Sequence, residues 1–273
     1  MPNALFPMPD ARCPIPDAQL PIPRQRIMLE LNQFEAISFD CYGTLIDWER
    51  GILPALKKLL SNREIDFSDD GTLELFAEFE SELENEARDY IRYREVLQQV
   101  VHKIGQKFNF EPTETASGTE INCLVDSLKN WQPFPDTVAA LAALKQKYKL
   151  AVISNIDDDL FASTAKHLKV EFDWVITAEK VRSYKPSTRN FEIALETMGI
   201  APEKLLHVAQ SLYHDIVPAA SMGISTVWVN RRQDKTGFGA TLPASGKPDL
   251  EVPDLKTLVE IIGQDLRKAY VSC

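Results

Sequence analysis

Asp40 closes the apolar run "FEAISFD" and is followed at once by "CYGT", a turn containing a glycine. An ionised carboxylate at the end of a buried strand is costly unless something uses or compensates it. Ser154 and Asn155 close a second apolar run, "KLAVISN" (149–155). Lys185 stands in "SYKPSTRNF", and Gln210 and Ser211 close "LLHVAQS" (205–211), with Asp215 four residues beyond Ser211. A carboxylate needs no proton removed to act as a nucleophile at neutral pH, and a lysine within a few ångströms favours its ionised form. The side chains of Thr44, Ser154 and Asn155 can donate hydrogen bonds to a carboxylate or to a departing anion. Asp215 is suited to orient Lys185 or to activate a water. Taken singly, Asp40 reads as a turn cap, Ser154 and Asn155 as helix caps, and Lys185 as a solvated surface cation. Their joint placement at the ends of successive strands is much harder to assign to capping.

The elements that must position these groups follow from periodicity. The apolar runs at 34–40, 149–155, 172–178 ("FDWVITA"), 205–211 and 225–231 ("STVWVNR") alternate with helical stretches. That pattern predicts an α/β fold with a mainly parallel sheet covered on both faces. Such sheets bind ligands outside the carboxyl ends of their strands. Between 51 and 131 the pattern is helical, with Leu75, Phe79, Leu83, Ala87, Tyr90, Arg94 and Leu97 recurring at steps of three and four. The many glutamates between them read as a solvated face. This stretch begins beside the turn that ends the first strand, where an inserted helical unit would lie over the site as a cap. The expected organisation is a proline-rich arm at 1–30, a core formed by 31–50 and 132–273, and a cap at 51–131.

Bulk properties narrow the partners. The 273 residues carry a formal net charge of −10, which argues against a nucleic-acid footprint. No apolar run approaches the roughly 18 residues of a membrane span. The four cysteines, Cys13, Cys41, Cys123 and Cys273, are scattered without a C-x-x-C pair, as in a reducing compartment. The first residues lack the basic end and apolar block of a signal peptide, so a cytoplasmic protein is expected. The four histidines, His102, His167, His207 and His214, show no metal-ligand spacing and read as surface or core residues. Pro2, Pro7, Pro9, Pro14, Pro16, Pro21 and Pro23 favour an extended arm that cannot hold a helix.

In order, "DCYGTL", "VISN", "YKPS" and "VAQSLYHD" resemble the four motifs of the haloacid dehalogenase-like hydrolases, over essentially the whole chain after about residue 33. The resemblance implies a Rossmann-like core, a helical cap, and a covalent intermediate on Asp40. Phosphatases of that superfamily carry a second aspartate two residues after the first, to protonate the leaving alcohol, and an acidic Mg²⁺ ligand early in motif four. Here those positions are Tyr42 and Gln210. A missing general acid typically costs about 10²–10⁴-fold. The pattern D-x-Y-G-T instead resembles the L-2-haloacid dehalogenases, which use no metal or other cofactor. That likeness implies Asp40 as nucleophile, Lys185 as its ion-pair partner, and Asp215 in support of hydrolysis. Thr44 and Ser154 would contact carboxylates, Asn155 would help to bind halide or substrate, and Tyr42, Ser211 and Gln210 would line the substrate site. The implied partner is a small carboxylate substrate, and a homodimer is left open.

Three departures from those dehalogenases stand out. Their early cap arginine has no counterpart in "SDDGTLELFAEFE", leaving Arg88, Arg92 and Arg94 as the nearest substitutes. A tyrosine six residues after the motif-three lysine is Phe191, and motif four contains a glutamine. Two alternatives accompany the dehalogenase reading. One is a phosphatase that recruits Asp47 or Asp215 as the missing acid; the other is a non-catalytic binding protein.

Overall fold

In the computed structural model, residues 29–86, 89–115 and 118–271 are described. The chain enters through β1 (Ala36–Phe39) and passes into α1 (Trp48–Ser61), α2 (Asp69–Glu86) and α3 (Tyr93–Lys107). A two-stranded hairpin, β2 (Glu114–Thr115) and β3 (Gly118–Thr119), leads to α4 (Cys123–Leu128). The remaining elements are α5 (Thr137–Leu144), β4 (Lys149–Ser154), α6 (Asp158–Leu168), β5 (Trp174–Thr177), α7 (Ala178–Val181) and α8 (Arg189–Met198). The chain closes with β6 (Leu205–Ala209), α9 (Val217–Ser221), β7 (Ser225–Val229), β8 (Leu250–Val252) and α10 (Leu255–Val271).

The main sheet has the order β5-β4-β1-β6-β7-β8, and every pairing within it is parallel. β1 lies between β4 and β6, with Phe39 level with Val152 and Val208. Side chains alternate across the sheet, and two apolar clusters result. Ile37, Phe39, Val152 and Val208 pack with α5, α6 and α10, whereas Ala36, Ala151, Ile153 and Leu205 pack with α8. Helices on both faces leave β1 wholly buried and make its carboxyl end the natural mouth of the site. The three-residue β8 was not anticipated, because its prolines at 248 and 253 leave too short a run to register as a strand.

The helical stretch differs from expectation in two ways. Its apparently continuous periodicity belongs to two helices, α2 and α3, joined by residues 89–92, which are not helical. Its glutamates are not all solvated: Glu80 is buried with Phe76 and Ala77 on the inward side of α2. α1 to α4 form a helical layer that joins the first apolar cluster through Leu45, Ile46 and Trp48. We propose a cap at 51–131 over a core at 31–50 and 132–273, the boundary at residue 51 falling one turn inside α1. The arm expected at 1–30 lies outside the described residues as far as residue 28. Among the described residues, no helix is long and apolar enough to cross a membrane.

Phe76 ties this layer to the site. It is fully buried and its ring meets Trp48 edge-on at 5.8 Å. Phe76→Ala should destabilise the protein by about 3–5 kcal/mol, the usual cost of deleting a buried aromatic ring. Urea unfolding monitored by far-ultraviolet circular dichroism would read that loss.

Candidate active site

Asp40 follows β1 directly, and its amide donates to Val208 O at 3.2 Å. The chain then turns sharply. Gly43 has φ +91°, and a Cβ there would stand 2.9 Å from Trp48 Nε1 and 3.0 Å from Gln210 Oε1. Glycine is required on both counts. The turn delivers Thr44 Oγ1 to Asp40 Oδ2 at 2.8 Å, and the same hydroxyl accepts the Gln210 amide at 2.9 Å. Behind it, Arg231 Nη2 donates to Thr44 O at 3.0 Å while its Nη1 pairs with Asp136 at 2.9 Å.

Lys185 is 1% exposed yet fully partnered. Its ammonium donates to Asp40 Oδ1 at 2.9 Å, Asp215 Oδ1 at 2.6 Å and Ile153 O at 2.9 Å, using all three protons. Burial works to lower the Lys185 pKa, but the carboxylates of Asp215 and Asp40 outweigh it and raise it. Burial alone would raise Asp215; the Lys185 ammonium and His207 hold it below the usual carboxylate value. Asp40 goes the other way. Burial pushes its carboxyl above the ordinary value, with Lys185 opposing and Asp215 adding to the rise. His207, read in the sequence only as a surface or core histidine, bridges Asp215 Oδ1 at 3.0 Å and Ser38 Oγ at 2.8 Å. Phe191 packs edge-on against that imidazole at 5.0 Å, so the family tyrosine's place is taken here by an apolar wall.

The other expected residues divide. Ser154, Asn155, Ser211 and Tyr42 line the same pocket as Asp40, Lys185 and Asp215. Asn155 clamps the Lys185 backbone, accepting from its amide at 2.7 Å and donating to its carbonyl at 3.0 Å. The Tyr42 hydroxyl is hydrogen-bonded to Thr164 Oγ1 at 2.8 Å. Ser211 Oγ accepts the His214 amide at 2.8 Å and opens a π-helical turn, Leu212–Ile216, that carries both His214 and Asp215. Gln210 does not line this pocket. It borders the neighbouring one with Gly43 and Trp48, and its backbone holds Thr44. Asp47 also lies elsewhere, capping α1 and pairing with Arg50.

The cap side of the pocket was missed. Glu80, Glu84 and Tyr93 line it from above, with Trp48, His214 and Thr241. Tyr93 donates to Glu80 Oε1 at 2.5 Å, and Asn155 Nδ2 donates to Glu84 Oε2 at 3.1 Å. Burial pushes Glu80 up to about 8, Tyr93 opposing and Asp40 adding. Burial, reinforced by Glu80, pushes Glu84 well above the carboxylate range, and burial pushes His214 down to about 4. The available signal was the four-residue step Phe76, Glu80, Glu84, which puts both acids on the stripe of a buried ring. The arginines considered as substitutes are committed elsewhere. Arg92 pairs with Asp159 at 2.9 Å and Glu179 at 3.3 Å; Arg94 pairs with Asp157 at 3.3 Å and with Asp159. Asp157 also accepts the Tyr93 and Arg94 amides that open α3, so this cluster latches α3 onto the sheet-bearing part of the chain. Arg88 lies outside the described residues. The enclosed volume is about 30 Å³, the room of a water molecule or two. Among the described residues, no group of three or more His, Cys, Asp or Glu side chains is arranged to hold a metal ion.

A buried aspartate stands at the carboxyl end of the central parallel strand, ion-paired to a lysine from a later loop beneath a helical layer, as befits an α/β hydrolase. Residues 34–223 match the haloacid dehalogenase-like hydrolases, and the chain belongs to that family. Haloacetate dehalogenase H-2 from Moraxella sp. (strain B) is 26% identical over 85% of this chain and 99% of its own length. The (S)-2-haloacid dehalogenase from Pseudomonas sp. (strain YL) is 24% identical over 88% and 99%. The L-2-haloacid dehalogenase structure from Xanthobacter autotrophicus superposes with a TM-score of 0.69 at 21% identity, covering 84% of this chain and 98% of that one.

The raised Glu80 pKa fixes the sign of a pH effect. A carboxyl with a folded pKa of about 8 against an ordinary 4.5 holds its proton longer when folded. Its contribution is therefore intact below about 4.5 and is lost as pH rises through about 8. Glu80→Gln should remove that loss, so the variant gains on the wild type by on the order of a few kcal/mol between pH 5 and pH 9. Denaturant unfolding at the two pH values would measure it; parallel pH curves would contradict the assignment.

Proposed function

We propose that the protein hydrolyses small (S)-2-haloalkanoic acids to (R)-2-hydroxy acids through an ester on Asp40, without a metal. The observation that carries this reading is the state of Asp40: Oδ1 on Lys185 at 2.9 Å and Oδ2 on Thr44 at 2.8 Å, with a tyrosine bonded to Thr164 two residues later. A carboxylate held at both oxygens is positioned for in-line attack. A halide leaves without a proton, so no acid is needed at the Tyr42 position.

In the first step an Asp40 oxygen attacks C2 and the carbon–halogen electron pair leaves as halide. In the second, water adds to the ester carbonyl and the C2–oxygen product departs, restoring the Asp40 carboxylate. Lys185 stabilises the carboxylate before attack and the oxyanion during hydrolysis. Asp215, bonded to His207, holds Lys185 in place. Ser154 and Ser211 supply neutral hydroxyls to the pocket, Asn155 holds the Lys185 backbone, and Gln210 fixes Thr44 through its backbone amide. The dehalogenase relatives spanning nearly their full length support this class of substrate.

Charge disfavours the phosphatase alternative. Lys185 is the one cation lining the pocket among the described residues, and it is already paired with both Asp40 and Asp215. A phosphate dianion would add two charges to a buried site with no free counterion. A glyceraldehyde 3-phosphate phosphatase from Methanothermobacter thermautotrophicus is 38% identical, but over 36% of this chain.

Halide release from the two enantiomers of 2-chloropropionate in EDTA tests the reading. One enantiomer should release halide, and Asp40→Asn should lower the rate by about 10³-fold or more. Mg²⁺-dependent release of phosphate from a phosphate ester, with no halide released, would overturn it.

A further inference from the structure

The pocket is built for something that a simple haloacid does not contain. Three polar atoms lining it, Glu84 Oε1 from the cap and His214 Nε2 and Asp215 Oδ2 from below, are buried without a hydrogen-bond partner. Their side chains are 2%, 10% and 1% exposed, and all three line the cavity that holds Asp40. Buried polar groups are nearly always satisfied, so three such atoms around one small cavity are hydrogen-bonding capacity that a bound ligand can complete. All three atoms can accept a hydrogen bond: a carboxyl oxygen, a neutral imidazole nitrogen and a carboxylate oxygen.

The charges agree. Arg92 and Arg94 are held at the α3 latch, and the other charged or titratable side chains lining the cavity with Glu84 are Glu80 and Tyr93 from the cap and Asp40, Tyr42, Lys185, Asp215 and His214 from below. Glu84 also borders a larger outer pocket of about 460 Å³, with Asn85, Tyr90, Arg182, Tyr184 and Ser187. The Arg182 guanidinium there lies over the Tyr90 ring at 4.6 Å. Glu84 thus stands where the inner cavity meets the outer one.

Resting on the dehalogenase reading for the leaving group, we infer that the substrate is a small 2-haloacid that also carries an amino group, and that its ammonium is seated on Glu84, His214 and Asp215. An ammonium supplies three donors in a compact point charge, matching the three orphan acceptors. It would also displace the Glu84 proton, giving the buried acid a partner only when the right ligand is present. A methyl group in the same place would leave all three atoms unsatisfied, which is how a polar site rejects an apolar isostere.

The test separates this inference from the halide chemistry. 3-Aminopropanoate and butanoate differ by an ammonium for a methyl and contain no halide, so calorimetric binding to the wild-type protein reads the wall alone. 3-Aminopropanoate should bind about tenfold or more tighter, and Glu84→Gln should bring the two within about twofold of each other. Equal binding, tighter binding of butanoate, or binding of neither would overturn the inference, whatever the variant does. In parallel, 3-amino-2-chloropropanoate and 2-chlorobutanoate are assayed for halide release. A binding preference without halide release from either would sink the dehalogenase reading and leave the ammonium site standing. Release from 2-chlorobutanoate equal to or faster than that from its amino analogue would sink the ammonium site and leave the dehalogenase reading.

Discussion

One buried ammonium organises this molecule. Lys185 sits between Asp40 and Asp215 at 2.9 and 2.6 Å, and removing it would leave two carboxylates facing each other in an apolar interior. Breaking a buried pair by removing one partner costs about 3–5 kcal/mol. Much of the surrounding architecture keeps that ammonium in place. Asn155 clamps its backbone on both sides, Ile153 O takes its third proton, and His207 fixes Asp215 from the far side. The parallel sheet supplies the convergence, since β4, β1 and β6 end side by side.

The helical layer changes what that core offers. Its members bring acids and a tyrosine to the site, while Arg92 and Arg94 are spent on Asp157, Asp159 and Glu179 at the latch. The consequence is a small, acid-walled cavity of about 30 Å³ over Asp40. The α3 latch and the hydrogen bonds Asn85–Tyr213 and Tyr184–Ile91 O hold the layer over it.

The fold and the lower half of the site were legible because both rest on short-range signals. Apolar runs that end in Asp40, in Ser154 and Asn155, and in Gln210 and Ser211 state both the strand and the direction its end must face. The cap half was not legible. Glu80 and Glu84 sit in a glutamate-rich helix where most acids do face water, and only their four-residue step from Phe76 distinguishes them. Phe76 itself is a reliable core marker only once the helix has a partner to bury it. His207 and His214 were equally opaque, since a histidine in a strand and one in a π-helical turn carry no spacing that declares a carboxylate neighbour. The helical period also concealed the break at 89–92, because Tyr90 and Arg94 continue the series by chance across a non-helical link.

The central claim is that Asp40 becomes covalently bonded to the substrate carbon. A single turnover in H₂¹⁸O, with protein in excess over 2-chloropropionate, tests it most directly. The account predicts unlabelled oxygen at C2 of the product and one ¹⁸O in the peptide that contains Asp40, because water attacks the ester carbonyl and the product leaves with an Asp40 oxygen. Heavy oxygen in the product and an unlabelled Asp40 would mean that water attacks the substrate directly, and would contradict the account.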